Sequence, residues 1–389
     1  MRVLFVHEQC GFQGGVEQNV AETALGLKAR GHACHLAYLR KTARGPDEFA
    51  ARFEGVHAVG DAGEGELARV AAAVGPDVVY YHKWPSLPDR PRLSARRAVR
   101  MIHDHDICCP RSHKYFVWPD RTCHQPAGLR CWADLAFLCR NPSGPLPVGY
   151  VDLWAHARER RRNHVLDACL VGSRFMRDEL AMNGFPPDRV HIVPPAVRVP
   201  GSSPPVGPAG HRILFVGQVI RGKGVDLLLQ ALARVDGPWD LDVVGDGNAR
   251  PGLEAMVRDL GLGDRVRFHG FVASEGLAPL YDAARIVAVP SRWPEPFGMV
   301  GLEAMHRGRP VVAFAVGGIP DWCLDGETGL LAPDRDVPAL ADRIGRLLRD
   351  DGLAGRLGAR AREVASERFG FEGYLDRLAS LLAGAPGAH

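Results

Sequence analysis

Two glutamates, Glu295 and Glu303, stand eight positions apart in the stretch PEPFGMVGLEA at 294–304. The apolar run ARIVAVPS before them reads as a buried strand ending in a turn, and GLEAMHRG as the first turns of a helix. Free backbone N–H groups and the helix dipole converge at such a junction, which suits an anionic ligand. Two carboxylates in that corner pose a charge conflict, so cations must stand near them.

The cations come from GQVIRGKGVD at 217–226. Gly217, Gly222 and Lys223 follow the spacing of a nucleotide-hydrolysing P-loop, but Gly224 stands where a magnesium-binding Ser or Thr belongs. What survives is a turn between strand and helix on which Lys223 and Arg221 would hold a diphosphate by charge and backbone N–H groups. An exposed lysine in an ordinary turn is the plain alternative. A second glycine-rich turn, GFQGGVEQNV at 11–20, enters a helix and lets a ligand approach the backbone near Gly15. It lacks the G-x-G-x-x-G spacing of a dinucleotide fingerprint.

The stretch RMIHDHDICCP at 100–110 runs a strand into His103, with His105 two positions on. Asp104, His105 and Asp106 also spell D-x-D, a divalent-metal pattern. Nine cysteines are present, and Cys109, Cys123, Cys131 and Cys139 follow one another at intervals of 14, 8 and 8. Four thiolates would suit structural zinc in a Pro-rich polar loop, although no C-x2-C pair is present. Reduced thiols, a redox disulfide and an iron–sulfur cluster are the other readings. Tyr115, Phe116 and Trp118 in the same segment are candidates for a sugar-stacking wall or for packing within the loop.

The elements that must position these residues repeat. RVLFV at 2–6 is echoed by RILFV at 212–216, each followed by a glycine turn and an amphipathic helix. Later runs, among them DVVYYH, ACLVGS, LDVVGDG and PVVAFAVGG, are short, apolar and separated by helical periods. That pattern predicts parallel sheets covered on both faces, with ligands at the carboxyl ends of the strands. The 389 residues are enough for two such domains. We place an N-terminal Rossmann-like domain at 1–193 with the cysteine-rich insertion at 107–140. A linker at 194–210 comes next, dense in Pro, Gly and Ser. A second Rossmann-like domain occupies 211–365, and 366–389 is a helical tail. The expected class is α/β, two tandem doubly wound domains facing a cleft.

With 48 Lys+Arg against 45 Asp+Glu the formal net charge is +3, which excludes a general nucleic-acid surface. Two local basic stretches, RPRLSARRAVR at 90–100 and ARERRRNH at 157–164, are solvated helix faces or docking points for anionic lipid or a lipid diphosphate. The start MRVLFVHEQC has no cleavage-site pattern and no run approaches the length of a membrane span. The expected location is the cytoplasm, with attachment to the inner membrane face left open.

Taken in order, GGVEQNV, FVGQVIRGKGVDLLLQAL, VVGDGN, HGFV, VPSRWPEPFGMVGLEAMHRGRPVVAF and GGIPDWCLDGETGLL resemble the retaining glycosyltransferases of family 4, which have the GT-B fold. The resemblance resolves the charge conflict. It implies that Lys223, Arg221 and amides near Phe297, Gly298, Met299 and Val300 hold the diphosphate of a nucleoside-diphosphate sugar. Glu295 would then grip the transferred sugar and Glu303 the ribose, with Gly15, Gln218 and the backbone around Val272 completing the donor site. His103 would lie beside the donor sugar, with His105 as the alternative. The catalytic set it implies is His103, Glu295 and Lys223.

Gln218 stands where many relatives carry an arginine for the diphosphate, and Asp321 where they carry a glutamate. The implied activity is metal-independent sugar transfer, with retention, to a glycan, lipid-linked or small-molecule acceptor in envelope or exopolysaccharide synthesis. A metal-dependent phosphohydrolase built on HDHD and a non-catalytic binding subunit of the same fold are the rival readings.

Overall fold

The computed structural model describes residues 1–116, 120–140, 148–198 and 210–385. Trp118 and most of the expected linker lie outside them, as does the side chain of Cys139. Two compact units emerge. The first comprises Met1–Lys114, Cys123–Pro195 and the chain from Phe371 onward, and the second Tyr115–Thr122 and Ala196–Gly370.

The first unit is built on a seven-stranded sheet: β1 (Arg2–Cys10), β2 (Ala33–Lys41), β3 (Gly55–Ala58), β4 (Val78–Tyr81), β5 (Arg97–Ile102), β6 (Ala168–Val171) and β7 (Val190–Ile192). Their order is β7-β6-β5-β4-β1-β2-β3, and all pairs are parallel. The second unit has six parallel strands: β8 (Arg212–Val216), β9 (Asp240–Val244), β10 (Val266–Gly270), β11 (Ile286–Val289), β12 (Val311–Phe314) and β13 (Gly329–Ala332). Their order is β10-β9-β8-β11-β12-β13. Central strands such as VVYY, IVAV and VVAF are buried at every residue, as β-branched runs covered on both faces must be.

In each unit the first strand lies between strands that the chain reaches in opposite directions, which opens a crevice at its carboxyl end. Among the helices, α1 (Gly15–Ala29) comes after β1, α2 (Val225–Leu232) after β8 and α3 (Met299–His306) after β11, while α4 (Phe371–Ala383) lies near the end of the chain. The sequence places α4 in a tail behind the second domain, but it packs in the first unit. Tyr374 shares a buried 2.8 Å hydrogen bond with Thr23 of α1. A Cβ at Gly26 would meet Leu375 at 2.4 Å, so glycine is what lets the two helices approach.

The cysteine-rich insertion is split between the units. Lys114 and Glu179 form a fully buried 2.7 Å ion pair within the first. The antiparallel pair Tyr115–Phe116 and Arg121–Thr122 belongs to the second.

Candidate functional site

The crevice of the second unit is shaped by glycines. After β8 the chain turns through Gly217 and a short 3₁₀ segment, Arg221–Lys223, into α2. Gly224, at φ 72°, caps α2, and a Cβ there would stand 1.9 Å from the Pro290 carbonyl. No other residue lets this turn lie so close to the end of β11. Arg292 N–H donates to the Gly222 carbonyl at 3.0 Å and ties the two strand ends together.

This brings Lys223 and Glu295 into contact, Nζ to Oε1 at 2.7 Å. Ser291 Oγ donates to the same oxygen at 2.5 Å. Burial would raise the Glu295 carboxyl, but the ammonium of Lys223 and these hydrogen bonds outweigh it and hold it below its ordinary value. The loop is braced from behind, where Gly318 N–H donates to the Glu295 carbonyl at 2.7 Å. Glu303 sits on α3, half-buried, accepting from Tyr281 Oη at 2.6 Å. Burial pushes its carboxyl up, with Tyr281 and Arg307 only partly opposing.

The other expected donor contacts divide. Phe297 is a core residue, edge-on to Phe369 at 5.8 Å, and its carbonyl accepts from the Trp322 indole at 2.6 Å. Its side chain is committed to packing. Gly298, at φ 98°, caps α3, and half-buried Met299 and Val300 form the first turn. Val272 packs against the core beside Gly276, while Gln218 is exposed.

Arg221 also meets an acid. Its guanidinium lies 3.3 Å from Asp120, which also binds Arg292 at 2.8 Å and Arg335 at 3.0 Å. Arg292 is fully buried and reaches Asp226 at 2.6 Å. Asp120, Arg292 and Arg335 have no signature in the sequence, because Asp120 lies more than 100 positions from each arginine it binds.

The crevice of the first unit is lined by imidazoles. His7 lies on β1, and His82 and His103 come directly after β4 and β5. His82 Nδ1 and His103 Nε2 are 2.9 Å apart, with their rings stacked at 5.2 Å. His7 stands 3.3 Å from Glu17 of α1, whose carboxylate also accepts from Gly14 N–H at 2.8 Å. Burial drives His103 down to about 3, with His7 adding to the effect, so the ring is neutral at physiological pH. Gly15 opens α1 and is exposed. His105 is fully buried, edge-on to Phe175 at 5.9 Å, which leaves His103 as the more accessible of the two.

The HDHD segment brings Asp104 and Asp106 together but, among the described residues, assembles no metal site. Asp104 binds Lys83 at 2.7 Å, and Asp106 lies 3.5 Å from Arg100. Burial, then Asp104, pushes the Asp106 carboxyl up to about 7. Among the described residues no three His, Cys, Asp or Glu side chains assemble as a metal site, so Cys109, Cys123 and Cys131 are not gathered. Two of the five arginines in the basic stretch at 90–100 are used internally, Arg92 binding Asp167 at 2.5 Å and buried Arg100 binding Asn163 at 3.0 Å, while Arg90 and Arg96 are exposed.

Comparison with known proteins agrees with this architecture. Residues 13–199 match the Glycosyltransferase Family 4 model and residues 210–350 the model for glycosyl transferases group 1. A D-inositol 3-phosphate glycosyltransferase of Xylanimonas cellulosilytica is 40% identical over 227 residues, covering 53% of this chain and 54% of that one. An alpha-D-kanosaminyltransferase of Streptomyces kanamyceticus is 34% identical over 172 residues, 43% and 44% of the two chains. The chain thus spans about half the length of the curated relatives it matches.

Among solved structures, Anabaena Alr3699/HepE in complex with UDP superimposes with a TM-score of 0.75 at 20% identity, covering 98% and 100% of the two chains. Sucrose-phosphate synthase of Thermosynechococcus elongatus does so at 0.72 and 22%, covering 98% of each. With both sheets, their crevices and matches along most of its length accounted for, the chain belongs to the family 4 glycosyltransferases of GT-B fold.

Proposed function

We propose that the protein transfers a sugar from a nucleoside-diphosphate donor to an acceptor hydroxyl with retention of configuration. The observation that carries the reading is the Lys223–Glu295 pair, 2.7 Å apart at the crevice of the second sheet. It sets a cation for the diphosphate directly against a carboxylate for sugar hydroxyls, the two demands of one ligand. Glu303 serves the ribose, and His103, neutral, borders the sugar. Uridine is the base of choice, since a solved neighbour of the same fold holds UDP.

In the reaction the bond from the anomeric carbon to the diphosphate oxygen breaks, and one to the acceptor oxygen forms on the same face. The acceptor's proton passes to the departing phosphate. Lys223 and the amides that open α3 stabilise the negative charge developing on the leaving group, an electrostatic role that asks for no metal. The acceptor is a hydroxyl of a glycan, a lipid-linked sugar or a small polyol, and envelope or exopolysaccharide synthesis is the proposed setting.

The test is a thermal-shift series with uridine, guanosine and adenosine diphosphates and their sugars, with and without chelator. A nucleotide at 100 times its Kd adds about 2.7 kcal/mol to stability. A shift with the uridine series, unchanged by chelator, is expected. No shift with any nucleotide overturns the donor site, and a shift that needs a divalent ion overturns metal independence.

A further inference from the structure

Nine large apolar side chains are substantially exposed among the described residues, and five lie between Leu129 and Trp154. They are Leu129, Trp132, Leu135, Tyr150 and Trp154, with Tyr150 at 79% and Trp154 at 70% exposure. Trp132 and Tyr150 are joined through Phe137, and the other three lie within four positions of one or the other along the chain. The Trp132 ring meets Phe137 at 5.2 Å, and Phe137 stacks on Tyr150 at 6.5 Å. Leu129 and Leu135 flank the short helix that carries Trp132, and Trp154 stands in the first turn of the helix Leu153–Asn163. An apolar cluster of this size left in water marks an interaction surface.

Charge identifies what covers it. On the helix Leu153–Asn163, Trp154, Arg158 and Arg161 recur at the i, i+4, i+7 spacing of one face, and all three are exposed. Arg130, beside Leu129, is exposed as well. None of these arginines makes an ion pair among the described residues, in contrast to Arg162, which binds Asp89 at 2.5 Å. Of the segment's acids, Asp152 caps the helix, accepting from Trp154 N–H at 2.8 Å, and Glu159 accepts from Leu87 N–H at 3.0 Å. Asp134 remains against three exposed arginines.

Tryptophan and tyrosine with leucine beside unpaired arginines is the composition that seats at a lipid headgroup layer. The rings enter the boundary, and the guanidinium groups meet anionic phosphates. We propose that this face of the first unit docks on an anionic bilayer. Among the described residues no helix is long and apolar enough to cross a membrane. The contact is therefore peripheral, and it stands on different residues from the donor site.

Flotation of the full chain with vesicles tests it, comparing 30% phosphatidylglycerol in phosphatidylcholine with phosphatidylcholine alone. Binding to the anionic vesicles, weakened by 500 mM salt, is expected. Arg158→Gln with Arg161→Gln should weaken it about 25-fold, near fivefold for each charge at the surface. Trp132→Ser with Trp154→Ser should abolish it. Both double variants should keep the wild-type melt, because the substituted side chains are exposed.

No binding to anionic vesicles, or binding that the tryptophan variant leaves intact, overturns the proposal. So does a concentration-dependent dimer, lost in the tryptophan variant and indifferent to lipid, which would give the face to a second copy of the chain.

Discussion

The two crevices occupy equivalent places in two similar sheets, yet different side chains dominate their chemistry. Beside β8 the chain sets an ammonium against a carboxylate at 2.7 Å, inside a wider set of arginines and aspartates. Beside β1 it sets His7, His82 and His103, with burial holding His82 and His103 far below the ordinary imidazole value. The fold fixes where a ligand meets the backbone, and the side chains just past each strand decide what charge it meets there. On the proposed reading, the charged donor goes to the ionic crevice, and a neutral, hydroxyl-rich partner suits the imidazole one.

The largest way to break this contrast is at Lys223. Lys223→Ala should cut turnover about 10²–10³-fold, as loss of one oriented charge-stabilising group does. It also leaves buried Glu295 without its cation and should lower the melt. Glu295→Gln should lose turnover with less effect on stability. Steady-state sugar transfer and calorimetry separate the two. Because the Glu295 carboxyl is held below its ordinary 4.5, its contribution to stability is present above that pH and is lost as pH falls through the folded-state value.

His103→Ala should reduce turnover about 100-fold, the lower end for a positioned polar group. His82→Asn should act in the same direction but less, since on the proposed reading His82 acts only through His103, 2.9 Å away. Unfolding lets His103 bind a proton that the folded ring refuses until about pH 3, so stability falls as pH drops below about 6.5. A kcat/KM profile across neutral pH should therefore show no step from this ring. Appearance of one near the ordinary imidazole value would place it in solvent and dissolve the contrast.

A smaller effect is expected at the ion-pair network. Asp120→Ala leaves fully buried Arg292 with Asp226 alone and should cost about 1–3 kcal/mol in a thermal melt. Smallest of all is Gly14→Ala. Gly14 is extended at φ −168°, and a Cβ there meets only Glu17 Oε2 at 3.9 Å, so the change should stay within about 0.5 kcal/mol.

The strands, and Lys223 and Glu295 as single candidates, were legible because their signals are local, but their contact across 72 positions was not. A β-branched run, a glycine turn and a charged residue at the turn sit close together in each half of the pair. The partners of Arg292 were not legible, since Asp120 lies 172 positions away and a lone aspartate in a polar loop has no pattern. The histidines were half-legible: His103 announces itself by position after a strand. Its stacking on His82 depends on which strands neighbour each other, which periodicity does not report. The docking of α4 shows the same limit. The helix was readable, but not that Leu375 would fill the space left by Gly26.

That last contact bears on how the protein is made. The first unit is opened by β1 and closed by α4, so the residues that complete it leave the ribosome only after the whole second unit. Until Phe371–Ala383 emerges, the face of α1 around Gly26 has no cover, while the second unit can already be whole. Folding order thus runs against synthesis order: the half that is translated first is the half that finishes second.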